Sequence, residues 1–277
     1  MKKSCLLFLG FSFCIIPVQA KSLDHKGLFT DLKKYKKIRG DCHAGHLYEH
    51  MVWVAKAMDT LFESKSQWLI GINKNDRRIM TIAAFMHDIG KAGDLDYNYL
   101  VKPTHPRVGF EYILGKRKYL LNKKGDTYDF DAWCNHMNVK GQDRATLAVL
   151  VGMHQEFGKA LSSMKKKSTV TLSAFNTFIA DLEKYTYEAN YNGGMPNERI
   201  IRMSIALCRA DLHGMFPVDK SIKEFPELKD HPQTLDAVPL VPGIVVDTAG
   251  YLVAQALLSH FKRRVYAYVK IDKEVKA

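Results

Sequence analysis

Apolar residues recur at steps of three or four along much of this chain, and this spacing constrains its fold more than any other feature. One such stripe consists of Leu47, Met51, Val54, Met58 and Leu61. Spacing of this kind places side chains on one face of an α-helix, whereas a half-buried strand needs strict alternation. Because long alternating stretches do not occur in the sequence, the pattern predicts an all-α protein.

Breaks in this pattern set the expected ends of the helices. Glycine and proline interrupt the chain at Lys102-Pro103, at Gly141 and at Val241-Pro242-Gly243, and such residues end helices or form loops. The chain of 277 residues is long enough to bury one sizeable core, so we expect a compact single-domain helical bundle. In addition to the stripe after Leu47, helices are expected at 26–38, 76–91, 106–121, 129–138, 142–157, 171–188, 197–213 and 247–268.

The N-terminal residues have the composition of a targeting segment. Lys2 and Lys3 precede an apolar run over residues 5–18, and small residues follow it, which is the order typical of a signal peptide. Residues 1–20 are therefore predicted to direct export, to the periplasm or out of the cell. Cleavage would leave no transmembrane span, while an uncleaved anchor and a buried first helix are the alternatives. Residues 21–42 are expected to form an N-terminal helical extension.

The C-terminal part, residues 215–277, begins with a proline-rich stretch. Each proline removes a backbone donor and disfavours a continuous helix, so the stretch is predicted to wrap the surface before a final helix forms. Residues 43–214, between the two ends, are expected to form the core of the domain. The prolines stand at positions 217, 226, 232, 239 and 242.

Basic residues outnumber acidic ones, and the formal net charge is +12. Part of the excess lies in short runs such as Lys165-Lys166-Lys167, which suit an anionic substrate or an acidic partner. We find no nucleic-acid-binding motif, so specific binding of nucleic acid is not expected. Beyond the predicted signal the chain has Cys42, Cys134 and Cys208, an odd number that does not indicate a disulfide scaffold.

The pair His87-Asp88 is the strongest chemical signal in the sequence. It stands at the end of an apolar helical stretch, and Gly90, two positions after Asp88, allows the helix to end. Neighbouring residues on a helix point about 100° apart, so both side chains can bind one ion only if further ligands come from other helices. An imidazole and a carboxylate together suit manganese, iron, nickel, cobalt or zinc.

Three further ionisable residues continue apolar stripes and are candidates for those ligands. They are His50, His154 and Asp211. A charged or polar group on a buried face is costly unless it has a partner, and a metal ion is one such partner. For each residue taken alone, a hydrogen-bonded position in the core is the simpler interpretation, but their occurrence together with His87-Asp88 favours a metal site.

The order of these residues resembles the HD superfamily of metal-dependent phosphohydrolases. The likeness covers residues 43–214 and includes the His50-x-x-x-Val54 spacing, His87-Asp88 and Arg209-Ala210-Asp211. It implies an HD-type helical domain in which His50, His87, Asp88 and Asp211 hold a divalent transition metal ion.

A narrower likeness points to the HD-GYP branch and its relatives. It rests on His87-Asp88-Ile89-Gly90-Lys91, on the segment from His105 to Gly109, and on His154-Gln155-Glu156. The resemblance implies a second ion held by His105 and His154, with Lys91 on a phosphate oxygen. Gln155 replaces an expected histidine, and no Gly-Tyr-Pro triplet follows, which argues against a cyclic-dinucleotide substrate and a complete second site. His136 is a candidate for the missing ligand.

The sequence thus predicts an exported hydrolase of phosphodiesters or phosphomonoesters, with a nucleotide among the candidate substrates and one or two metal ions. A metal-activated water would attack phosphorus. Lys91 and Arg107 would bind the anionic substrate, and Asp88 or Asp211 would accept a proton. Two alternatives remain: a di-iron oxygenase of the HD type, with His105 and His154 again as ligands, and a non-catalytic binding protein that keeps the HD frame.

Overall fold

The periodic apolar stretches form helices in a computed structural model of the protein. It describes residues 47–63, 69, 71–92, 104–120, 127–159, 172–214, 256 and 258–263. The main helices are α1 (Leu47–Glu63), α2 (Lys74–Met86), α3 (His105–Ile113), α4 (Phe130–His136), α5 (Gln142–Met153), α6 (Leu172–Glu188) and α7 (Glu198–His213). Short 3-10 turns occupy Ile89–Lys91 and Tyr191–Gly194. The described part of the chain is therefore predominantly helical, as the sequence predicts.

Helix α5 lies at the centre of the packing. All its residues from Ala145 to Met153 are buried, because its sequence is apolar on every side, as expected of a helix surrounded by others. It contacts α2, α3, α6 and α7, while α1 packs against α2 and α7. This arrangement brings the ends of α2 and α5 close to α1, α3 and α7.

Two helices of this core are joined by an ion pair whose carboxylate is buried. Asn73 caps α2, and its side chain and that of Asp76 each accept a hydrogen bond from the other residue's backbone N–H. The Asp76 carboxylate is also buried, and the guanidinium of Arg199 in the first turn of α7 donates to both of its oxygens, with Nε 2.9 Å from Oδ2. Because a buried carboxylate is costly without a partner, the pair fixes how α2 and α7 sit together.

One predicted helix is wrong in its second half. The helix expected at 106–121 ends at Ile113, and Gly115 follows with a positive φ of 70°, a conformation that readily ends a helix. Tyr119 then pairs with Tyr128 in a short antiparallel ladder, Tyr119–Leu120 with Thr127–Tyr128. Aromatic and β-branched residues favour such strands.

Other predicted bounds differ by a few residues or lie outside the described part. The helices expected at 76–91 and 142–157 end at Met86 and Met153. Residues 1–46 and 215–255 lie outside the described residues, so the structure does not describe the predicted signal, the N-terminal extension or the proline-rich wrap. In the final segment, residue 256 and residues 258–263 are helical. No helix among the described residues is long and apolar enough to cross a membrane.

Candidate metal centre

The end of α2 places His87 and Asp88 in the interior. The regular helix stops at Met86, and the chain passes through a turn into the 3-10 segment Ile89–Lys91. Asp88 has φ −99° and ψ 10°, which lie outside the helical region. The two side chains can therefore diverge from this turn, and both are buried.

The first group of side chains joins three helices of the core. His50 comes from α1, His87 from the end of α2 and Asp211 from α7. Asp211 Oδ1 lies 3.0 Å from His50 Nε2 and 3.3 Å from His87 Nε2, and the two nitrogens are 3.1 Å apart. Ligand atoms about 2.1 Å from one ion are roughly 3.0–3.4 Å apart at the angles of octahedral or tetrahedral coordination. The spacing of this group therefore fits a metal ion.

The second group lies on the other side of Asp88. His105 stands at the start of α3, and His154 at the end of α5. Asp88 Oδ1 is 3.1 Å from His105 Nε2 and 3.5 Å from His154 Nε2, while the two nitrogens are 3.3 Å apart. These distances are again those expected of ligands that share one ion.

Asp88 connects the two groups. Its Oδ1 faces His105 and His154, whereas its Oδ2 lies 3.6 Å from His50 Nε2 and 3.5 Å from His87 Nε2. Asp88 is 1% exposed, and Oδ1 has no partner with hydrogen-bond geometry within the described part of the chain. A buried carboxylate oxygen without such a partner is costly, and a cation between it and the imidazoles would remove that cost.

Backbone carbonyls orient three of the four imidazoles. In each, Nδ1 lies within hydrogen-bond distance of a carbonyl oxygen, which fixes the proton on Nδ1 and leaves the lone pair of Nε2 directed at the carboxylates. Outer hydrogen bonds of this kind are typical of metal-ligating histidines. The contacts are His50 with Gly214 O at 3.0 Å, His87 with Ala84 O at 2.8 Å and His154 with Val151 O at 2.7 Å.

The electrostatics leave both carboxylates ionised. Burial raises the pKa of Asp88, but the Lys91 ammonium and the surrounding imidazoles outweigh it and hold this pKa well below its usual range. Burial also raises the pKa of Asp211, and His87 and His50 again bring it well below the usual value. Two ionised carboxylates among imidazoles attract a cation.

Two histidines of the centre differ in the direction of their pKa shifts. Burial lowers the pKa of His105 to about 4, against the opposing effect of Asp88. Burial also lowers the pKa of His50, but the hydrogen bond and charge of Asp211 outweigh it and raise this pKa above its usual value. Because a ligand nitrogen must be unprotonated, protons compete with an ion more strongly at His50 than at His105.

Glycines allow the helices of the centre to approach one another closely. A Cβ added to Gly90 would lie 2.0 Å from the carbonyl oxygen of His105 and 2.7 Å from Gly109 N. A Cβ on Gly214 would lie 2.6 Å from Val54 N. The turn after Asp88 therefore contacts the start of α3, and the end of α7 contacts α1, because these positions have no side chain.

Lys91 lies beside the bridging carboxylate. Its Nζ is 2.5 Å from Asp88 Oδ2, and its side chain is 12% exposed. The predicted lysine thus joins the six predicted ligands at one place, where Asp211 and His105 also remain partly exposed.

Arg107 does not join the centre. It is two positions after His105, which corresponds to about 200° around a helix, and its guanidinium binds Glu111 at 2.8 Å and Glu188 of α6 at 2.7 Å. The structure therefore places Arg107 at a contact between α3 and α6, and its role in binding substrate stays a prediction.

The structure places His136 outside both groups, so it does not bring this candidate to the position of the histidine that Gln155 replaces. It is exposed on the last turn of α4 and belongs to neither metal-binding group. Glu156, which follows Gln155, binds Lys159 at 2.7 Å. The second group therefore consists of Asp88, His105 and His154 within the described residues.

Comparison of the chain with protein-family models, with curated proteins and with solved structures finds no match. The function proposed below rests on the geometry of the centre and on the motif resemblance described above.

The two groups should lose their ions separately. We expect His105→Ala to lose the ion of the second group and to keep that of the first, because His50, His87 and Asp211 remain in place. Elemental analysis would show about half the wild-type metal content. The control is His136→Ala, which should retain the full content; a loss of metal in this control would restore His136 as a ligand.

Proposed function

We propose that this protein is a metal-dependent phosphohydrolase of the HD-domain type with a two-ion centre. The observation that carries the proposal is the position of Asp88 between two groups of ligands, with the Lys91 ammonium on the same carboxylate. Two ions joined by one carboxylate are a recurring arrangement in enzymes that hydrolyse phosphate esters. The lysine supplies a further positive charge, which such a reaction uses to stabilise phosphate oxygens.

Bound ions would activate water and polarise a phosphate oxygen. The protein residues would bind the substrate, accept the proton and hold the ions. Lys91 would bind a non-bridging oxygen of the substrate as a point charge. Asp211 is 19% exposed, whereas Asp88 is 1% exposed, so Asp211 is the carboxylate that can reach a water molecule and accept its proton. The buried imidazoles would hold the ions.

Lys91→Met tests this division of roles. We expect the variant to keep the metal content of the wild type, since Lys91 is not a ligand, and to hydrolyse its substrate about 100-fold more slowly, since one charge on the phosphate is lost. The assay is a screen of phosphomonoesters and phosphodiesters with manganese, nickel or iron, in parallel with elemental analysis. Lys262→Met is the control, because Lys262 pairs with Glu198 at the opposite end of α7 from Asp211. Unchanged turnover in Lys91→Met would contradict the assigned role.

An oxygenase is the second candidate, and one observation favours it. Each group contains two imidazoles and one carboxylate, the donor set that non-haem iron enzymes use to activate oxygen. A protein of this kind would contain iron, absorb visible light and consume oxygen. Ester hydrolysis under anaerobic conditions with manganese or nickel would exclude it, and oxygen consumption without hydrolysis would replace the first proposal.

We also propose that the enzyme acts outside the cytoplasm on an anionic, phosphate-containing small molecule. The basis is the sequence of residues 1–20 and the basic surplus of the chain. A mature protein that begins near Lys21 and is found in the exported fraction would support the location, whereas an intact chain in the cytoplasm would contradict it.

A further inference from the structure

Among the described residues, two carboxylates and one ammonium lie at the centre. Asp88 and Asp211 are the carboxylates of the two groups, and Lys91 is the ammonium beside them. The charges of Glu156 and Arg209 shift the pKa of the nearby Cys208 thiol in opposite directions. Since Glu156 is also paired with Lys159, it adds little net negative charge.

Two bound ions would leave a large positive excess. Two divalent ions and the ammonium bring five positive charges to two carboxylates, an excess of three. Uncompensated charge in a buried site is costly, and His50, His87, His154 and Asp88 are at most 2% exposed. Anions from solution must therefore supply the balance.

Three side chains of the centre remain partly exposed. Asp211, His105 and Lys91 are 19%, 13% and 12% exposed, in contrast to the almost fully buried remainder of the centre. The ammonium is thus among the groups that an incoming ligand can reach, and it acts on that ligand as well as on Asp88. A ligand with two negative charges gains more from this ammonium than a ligand with one.

We propose that the centre selects phosphate dianions, and hence phosphomonoesters, over the monoanions of phosphodiesters, with Lys91 as the residue that sets the preference. The inference rests on the proposed function and narrows it, because a monoester carries close to two charges above its second pKa of about 6, whereas a diester carries one. The ammonium belongs to the protein and adds its charge whichever divalent metal is bound.

Calorimetric titration of the metal-loaded protein at pH 8 would test this preference. The probes are methyl phosphate and dimethyl phosphate, which differ by one methyl group and one charge. We expect methyl phosphate to bind at least about tenfold more tightly, which corresponds to ~1.4 kcal/mol. Lys91→Met should keep its metal and reduce this ratio several-fold. Lys262→Met, in which a lysine paired with Glu198 at the opposite end of α7 from Asp211 is lost, should leave the ratio unchanged.

The results for binding and for turnover separate the two proposals. Equal binding of the two probes by the two-ion protein, or an unchanged ratio in Lys91→Met, would overturn the selectivity even if esters are hydrolysed. Binding of neither probe would overturn it as well. A clear preference for methyl phosphate without hydrolysis of any ester would support the charge selectivity and contradict the hydrolase proposal.

Discussion

Asp88→Ala is expected to lose both metal ions, to less than about a tenth of the wild-type content. The reason is that its two oxygens face the two groups separately, so one substitution removes a ligand from each. Hydrolysis should fall to background with the metal. Elemental analysis of the purified variant, together with circular dichroism to show that the helices persist, measures the effect.

Two further variants make this result decisive. Asp88→Asn has nearly the same shape and removes only the charge. Because this variant should keep the fold, its loss of metal would not be due to unfolding. Asp59→Ala is the control, since Asp59 lies on α1 with His50 and has a carboxyl whose pKa burial and Glu63 raise to about 6, yet it belongs to neither group. Stoichiometric metal in both Asp88 variants would refute the assignment of the centre.

Gly90→Ala should destabilise the protein by about 3 kcal/mol, the upper end of the effects of overpacking. The added Cβ would meet the backbone oxygen of His105 and the backbone nitrogen of Gly109, and neither can rotate away as a side chain would. A shift of α3 would also move His105 away from Asp88. Thermal unfolding should show a melting temperature roughly 6–12 °C lower, accompanied by loss of the second ion.

Gly158→Ala provides the comparison for this glycine. Gly158 is helical, and a Cβ there would lie 3.5 Å from Cys208 Sγ, an ordinary contact. Alanine is the better helix former, so we expect a gain of up to about 1 kcal/mol. If Gly90→Ala were as stable as Gly158→Ala, the close approach between the turn and α3 would not be essential.

Several residues of the centre can be found in the sequence because an ionisable side chain stands on an otherwise apolar helix face. His50, His154 and Asp211 each continue an apolar stripe, and the structure buries the two histidines almost completely and brings all three side chains together with His87 and Asp88. His105 and Lys91 came from the motif resemblance, since neither lies on such a stripe. Their roles as ligands and as a substrate contact stay predictions.

The sequence does not indicate the groups that orient the imidazoles. Carbonyl oxygens of Ala84, Val151 and Gly214 orient the imidazoles, and a carbonyl is present at every residue, so no residue type marks it. Gly214 alone carried a signal, as a glycine directly after a helix. The ion pair of Arg107 with Glu188 is equally hidden, because Glu188 is far along the chain and becomes a neighbour only when α6 folds against α3.

The helix ends show the same limit. The periodic pattern predicts a helix over 106–121, although Gly115 within it is a residue that readily ends a helix. The ladder that follows depends on Tyr119 packing against Tyr112, Tyr128 and Phe130, with ring centroids 5.3, 6.1 and 5.8 Å apart. Such a cluster joins residues from separate segments of the chain, and local periodicity does not report it.

Two contacts at the centre close chain loops of very different length. The contact between His105 and His154 spans 49 residues, whereas that between His50 and Gly214 spans 164. Closing the longer loop costs more entropy, so the order in which the chain assembles favours α3 and α5 before α1 meets α7. An ion bound by the first group would hold α1 and α7 together across the longer loop. Its removal by a chelator would therefore weaken the contact between α1 and α7 first, while α3 and α5 stay packed.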